Sequence, residues 1–165
     1  MGKPISFQRN LSLNSGQRRV RLLLVEDHAD LAEATAEFLK DAGLEVRIAT
    51  SGGEALETAT VFRPHIVLCD MHLPDMSGLD VARSFRANWQ TKDVLFAMHT
   101  AMAEVDIQTL ELQCIANEVN FCLSKPVTEQ TLNRLLAGLA ALRRSAPPRR
   151  KPQNRRQQTA TRRAS

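Results

Sequence analysis

No apolar run in this 165-residue chain is long enough to cross a bilayer. Stretches such as Leu22 to Val25 and Ile66 to Cys69 are among the longest, and they fall far short of the roughly 20 residues a membrane helix needs. The N-terminus carries basic residues but no apolar segment of signal-peptide length, so a cytoplasmic protein without membrane contact is expected. Cysteine is scarce: Cys69, Cys114 and Cys122 show no C-x-x-C spacing and each lies in an apolar segment, which predicts three buried thiols without metal or redox duty. Acidic residues are missing from both ends. Residues 1–20 hold Lys3, Arg9, Arg18 and Arg19, and residues 143–165 hold nine basic residues, with no Asp or Glu in either. The net charge of +4 therefore hides a division. Between Arg21 and Leu142 stand all 18 acidic residues against nine basic ones, a net of −9. This predicts a basic arm over 1–19, an acidic body over 20–142 and a basic, disordered tail over 143–165, whose three prolines and few apolar residues cannot offset ordering entropy. The body is large enough, at 43% hydrophobic residues for the whole chain, to build one core.

Within the body, short apolar runs alternate with helical periodicity. Val20 to Val25 suits a strand covered on both faces. A helix follows Glu26-Asp27-His28, with Leu31, Ala34, Thr35, Phe38 and Leu39 along one side and Gly43 as a left-handed cap. Leu44 to Ala49 alternates as an edge strand would, and Ser51 caps a helix over 53–62 that Pro64 stops. His65 to Cys69 is a third strand ending at Asp70, and a helix spans 79–87. Asp93 to Met98 is a fourth strand, with a helix near 104–116. Val119 to Leu123 is the fifth strand, before a last helix from Glu129 to about Arg143, which Thr128 caps and Val127 and Leu132 staple. Five strand–helix pairs in strict alternation predict an α/β protein with a doubly wound five-stranded parallel sheet.

In such a sheet ligands bind beyond the carboxyl ends of the strands, where the winding reverses. The residues placed there are Glu26 and Asp27 after the first strand, Asp70 after the third, His99 and Thr100 after the fourth, and Ser124, Lys125 and Pro126 after the fifth. Alone, an Asp after a strand is more often a cap, and a Thr or Lys in a loop is more often plain surface. Their joint placement at successive strand ends is what carries weight. Carboxylates about 4 Å apart repel by several kcal/mol at an effective dielectric near 20, so three of them call for a cation. Mg²⁺ suits because it takes few carboxylates and keeps its waters. The chemistry such a cluster supports is phosphoryl transfer to a carboxylate, with the metal and Lys125 neutralising charge on the phosphoryl oxygens and Thr100 donating a hydrogen bond.

The segments LLLVED, IVLCDMHLPDMSG, FAMHTA and LSKP, in this order and spacing, resemble the signature segments of the response-regulator receiver family of two-component signalling, over roughly residues 20–142. The resemblance implies a flavodoxin-like (βα)5 receiver fold. It further implies Asp70 as phospho-acceptor, Asp27 as a direct Mg²⁺ ligand, Glu26 as a ligand through water and the His72 backbone carbonyl as another. Thr100 would be the switch hydroxyl, Lys125 the phosphate-contacting lysine, and Lys125-Pro126 a cis bond. His72 and Met102 resemble positions that gate the hydrolytic water, and an apolar Met102 implies slow self-dephosphorylation. Where the family usually carries an aromatic residue, three before the lysine, this chain has Cys122. Phe121 cannot stand in, because neighbouring strand residues face opposite sides.

The leading expectation is a phosphorylation-driven switch rather than a conventional enzyme. It would be served by a histidine kinase or histidine phosphotransfer protein and would signal to an unnamed target through its last two helices. Two others are weighed against it: a degenerate receiver used as a protein-binding scaffold, and a Mg²⁺-dependent phosphatase, whose second Asp two residues after the nucleophile is here His72. No output domain is recognised after Leu142, which fits a stand-alone receiver or a piece of a longer regulator. The tail reads most simply as a solubilising or linking segment. Its nine basic residues also allow sequence-independent contact with nucleic acid, or a return onto the acidic body.

Overall fold

The computed structural model describes residues 19–88, 90–101, 109 and 112–145. Five strands, β1 (Arg21–Val25), β2 (Glu45–Ala49), β3 (Ile66–Asp70), β4 (Leu95–Thr100) and β5 (Phe121–Ser124), form one parallel sheet in the order β2-β1-β3-β4-β5. The chain thus winds outward from β1 to β2, returns to β3 beside β1, and continues the other way through β4 to β5. The point of reversal lies between the carboxyl ends of β1 and β3.

Strand side chains alternate between two buried layers. Leu23, Val25, Val67, Cys69, Phe96 and Met98 pack with α2 (Gly52–Phe62) and α3 (Gly78–Ala87). Leu22, Leu24, Ile66, Leu68, Leu95 and Ala97 pack on the other side with α1 (Ala29–Asp41) and α4 (Glu129–Ser145). Both faces of β1, β3 and β4 are covered, which is why these strands read as unbroken apolar runs, whereas edge strand β2 alternates. No helix among the described residues is long and apolar enough to cross a membrane.

The caps are as expected. Gly43 takes φ 92° after α1, with its amide and that of Leu44 bonded back to Lys40 and Leu39 carbonyls. The Ser51 side chain accepts from the Glu54 amide, and Thr128 Oγ1 accepts from the Thr131 amide. The buried stripe of α1 is Ala32, Thr35, Ala36 and Leu39, rotated from the expected one. Alanines let the helix lie close to the sheet, so Phe38 moves to the flank at 38% exposure. Two strands begin two residues later than expected. The turn over Thr91 to Val94 is closed by its own hydrogen bonds, so the β4 ladder starts at Leu95. Asn120 meets Phe96 through its side chain, its Oδ1 accepting from the Phe96 amide at 2.7 Å, and regular β5 pairing begins at Phe121. Helix α4 runs to Ser145, so Arg143 and Arg144 form its last turn beside the negative end of the helix dipole. Residues 112–116 are helical; most of the helix expected over 104–116, and both basic arms beyond these limits, lie outside the described residues.

The cysteines correct an expectation. Cys69 is a buried free thiol, but Cys114 and Cys122 are joined by a disulfide across eight residues of sequence. Their spacing concealed this, because the turn after residue 116, with Glu118 at φ 55°, doubles the chain back and sets β5 beside the 112–116 helix.

Candidate functional site

The polar residues at the strand ends come together around one ammonium group. Lys125 Nζ donates to Glu26 Oε2 at 2.6 Å and to Asp70 Oδ2 at 2.7 Å, joining the ends of β1, β3 and β5. The Lys125 amide bonds the Thr100 carbonyl, extending the β4–β5 ladder by one residue, and the Lys125-Pro126 bond is cis. Burial alone would lower the lysine's pKa, but its hydrogen bonds to Asp70 and Glu26 outweigh it and hold the ammonium above its usual range.

Glu26 is held by the sheet in the same way, its amide bonded to the Ala49 carbonyl and its carboxylate only 2% exposed. Asp27 faces outward with its side chain 34% exposed, next to the exposed His28 imidazole at 3.4 Å. Possible ligand atoms of Glu26, Asp27 and His28 lie within 4.8 Å of one another. On Asp70, one oxygen is taken by Lys125 and the other, Oδ1, has only a long contact of 3.4 Å from the His72 amide. Glu26 and Asp70 thus share one lysine, Asp27 stands beside Glu26, and the carboxylate donors left open are hard oxygens. That set fits a small divalent cation of the Mg²⁺ kind.

The loop from Met71 to Ser77 is tied down around the acceptor. His72 and Ser77 form an isolated bridge, and the Gly78 amide returns to the Met71 carbonyl at 2.8 Å. A side chain at Gly78 would run into the Asp70 carbonyl, so only glycine lets α3 start this close to β3. Asp75 accepts from the Gly52 and Gly53 amides at 2.8 Å each, fastening the loop to the N-terminus of α2. Those two bonds hold its carboxyl below the usual range. Nothing in the local sequence announced this clamp, since its partners are 22 and 23 residues away.

Thr100 is buried at 5% exposure at the end of β4, opposite Ser124. His99, beside Asp70 in the register, is 1% exposed, and its Nε2 has no hydrogen-bond partner among the described residues. Burial, reinforced by Lys125 and opposed by Asp70, pushes its pKa down to about 4. Every site residue inferred from the strand ends is therefore at the same edge. Met102, inferred to gate hydrolysis, lies outside the described residues.

Cys122 and Phe121 do face opposite ways. Phe121 packs in the α1 and α4 layer against Gly138, while Cys122 packs in the α2 and α3 layer.

The response regulator receiver domain model matches residues 22–137. MtrA, a DNA-binding response regulator of Mycobacterium tuberculosis, is 36% identical over 87 residues, covering 53% of this chain and 38% of that protein. The transcriptional regulatory protein PrrA of the same species is 31% identical over 132 residues, covering 80% of this chain and 53% of its own. The chain thus spans about half or less of the length of these curated relatives. The chemotaxis response regulator CheY4 of Vibrio cholerae superposes with a TM-score of 0.65 at 26% identity, over 74% of this chain and 99% of that one. Since the receiver match runs well past half the chain, and a solved response regulator superposes on most of it, the chain belongs to the response regulator receiver family.

Proposed function

We propose that this receiver is a phosphorylation-driven switch in which Asp70 takes a phosphoryl group from the phosphohistidine of a histidine kinase or histidine phosphotransfer protein. The observation that carries the reading is the Lys125 ammonium held between Glu26 and Asp70 at 2.6 and 2.7 Å. An Asp70 oxygen attacks phosphorus, the bond to the donor breaks, and an acyl phosphate is left on the side chain. Lys125 sits where it can pass from the carboxylate to a phosphoryl oxygen. Thr100, on the strand next to the acceptor's and one residue past the His99 that pairs with Asp70, supplies a hydroxyl at nearly the same level.

Glu26, Asp27, Asp70 and the His72 backbone carbonyl are the groups that would hold Mg²⁺, which when bound neutralises charge on the phosphoryl oxygens. The absence of a second carboxylate at His72 disfavours a turnover phosphatase, and the residual activity is slow self-dephosphorylation. The domain is proposed to span residues 20–142, extended by the last helical turn to Ser145, and to act in the cytoplasm. The phosphorylated form changes its affinity for a downstream protein. Contact with nucleic acid, by analogy with the DNA-binding relative, is assigned mainly to the basic tail.

The test is incubation of the chain with Mg²⁺ and acetyl phosphate, followed by intact-mass measurement. The expected gain is one phosphoryl group, lost in Asp70→Asn, whose amide oxygen is a poor nucleophile but keeps the shape of the site. No gain in the parent chain would leave the degenerate scaffold as the better reading, and an equal gain in Asp70→Asn would refute the acceptor.

A further inference from the structure

We propose that Cys114 and Cys122 form a redox modification site, a thiol pair that a low-molecular-weight disulfide closes and a thiol reductant reopens. Closing it fastens β5 to the helical residues 112–116 on the sheet face that carries Thr100. The geometry is specific to this pair. Their Cα atoms are 6.9 Å apart, and the chain between them is already folded back. The Val119 amide bonds the Cys114 carbonyl at 2.8 Å, and the Asn117 amide contacts both the Gln113 and Cys114 carbonyls. Closure therefore orders little that is not ordered already, and its entropic cost is small.

The face follows from the register. Cys122 pairs with Met98, and Ser124 pairs with Thr100, so Cys122 and Thr100 project to the same side of adjacent strands. Oxidation would thus link the edge strand to the segment that follows Thr100. Access is also uneven among the three cysteines. Cys122 is half-buried on an edge strand, and Cys114 is buried beneath exposed neighbours Gln113, Ile115 and Ala116. Cys69 is fully buried in the central strand β3, its thiol donates to the Asp70 carbonyl at 3.2 Å, and burial raises its pKa far above the ordinary value. It is built to stay inert.

With glutathione disulfide as oxidant, the Cys122 thiolate attacks one sulfur and forms a mixed disulfide, releasing one glutathione thiol. The Cys114 thiolate then attacks the Cys122 sulfur and releases the second. Two electrons pass from the cysteine pair to the glutathione disulfide, and the two protons end on the released thiols.

The full chain, equilibrated in buffers of increasing glutathione disulfide to glutathione ratio, is quenched in acid. It is then unfolded, labelled with N-ethylmaleimide and weighed intact. Three labels are expected on the reduced chain and one on the oxidised chain, with a peptide linking positions 114 and 122. Cys69→Ala should go from two labels to none over the same range, which keeps the test valid if Cys114→Ala or Cys122→Ala fails to fold. Full labelling at every ratio, or a link through Cys69, would overturn the site. Amide exchange across Phe121–Ser124 should slow by about tenfold on oxidation. Unchanged exchange would overturn the fastening.

Discussion

Removing one charge from the strand-end cluster has different consequences at each member, because the members are differently engaged. Glu26 is buried and already neutralised by Lys125, whereas Asp27 is a third exposed and lies beside the His28 imidazole and the Glu26 carboxylate. Asp27→Ala should therefore weaken Mg²⁺ binding more than Glu26→Ala, by roughly tenfold or more for a lost direct ligand. Calorimetric titration of both variants compares them, and superimposable isotherms would contradict the separate roles. At the opposite edge of the sheet, His65 Nδ1 accepts from the Arg21 amide at 3.1 Å, which requires an unprotonated ring. Burial first, and then the Arg21 and Arg143 charges, push its pKa down to about 4 from 6.5. The unfolded chain thus binds this proton at higher pH than the folded one. The contribution is full above pH 6.5 and is lost as pH falls toward 4. Thermal unfolding of His65→Asn, which keeps an acceptor but does not titrate, should show a shallower fall in Tm over this window. A parallel fall would mean that His65 does not carry the effect.

Helix α4 rests on the sheet through a glycine, and opposing magnitudes decide what an alanine there would do. An exposed helical Gly→Ala gains about 1 kcal/mol. A Cβ at Gly138, however, would stand 2.5 Å from Phe121 Cε2 and 2.8 Å from its Cζ, and overpacking a fitted contact costs about 1–3 kcal/mol. The ring has little room to yield, with the Arg134 guanidinium lying over it at 5.7 Å. Gly138→Ala should therefore destabilise the domain by about 1 kcal/mol in urea titration; a stabilised variant would show that the ring swings aside freely. Elements of this kind mark where the sequence was legible. The strand–helix alternation, the caps and the strand-end cluster follow from patterns that act locally or through the general rules of parallel sheets, and Glu26, Asp70 and Lys125 could be gathered on that basis. The rotation of α1, the clamp of Asp75 on α2 and the meeting of Cys114 with Cys122 depend on how two distant backbones approach. No periodicity encodes that approach. The clamp has its own check. Asp75→Ala strips two amides of their acceptor, so Tm should fall by a few degrees and the His72 loop should exchange its amides faster.

Across the whole molecule the charge is separated rather than balanced. The stretch between Arg21 and Leu142 has a net charge of −9, and phosphorylation of Asp70 would exchange its carboxylate charge for roughly −1.5 to −2 on the phosphoryl group, a net addition of about −0.5 to −1, while residues 146–165 hold seven Arg or Lys and no acid. An acidic body repels a polyanion and a basic tail attracts one, so nucleic-acid contact is assigned mainly to the tail, which has more basic residues than the N-terminal arm, and must be electrostatic. Its lack of aromatic residues removes base stacking as a source of preference. We expect the full chain to bind duplex DNA weakly and without sequence preference in low salt. Neutralising up to seven phosphates would weaken that binding by as much as roughly six thousandfold between about 50 and about 200 mM salt. A chain ending at Ser145, which keeps α4 whole, should lose the binding while retaining the Mg²⁺-dependent mass gain from acetyl phosphate. Fluorescence anisotropy of a labelled duplex at the two salt concentrations measures this directly. If both chains are equally inert at low salt, the tail is held by the body or serves as a spacer. If the full chain does bind, a drop in DNA binding on phosphorylation would show that the tail also returns to the body, because the added negative charge at Asp70 competes for the same arginines.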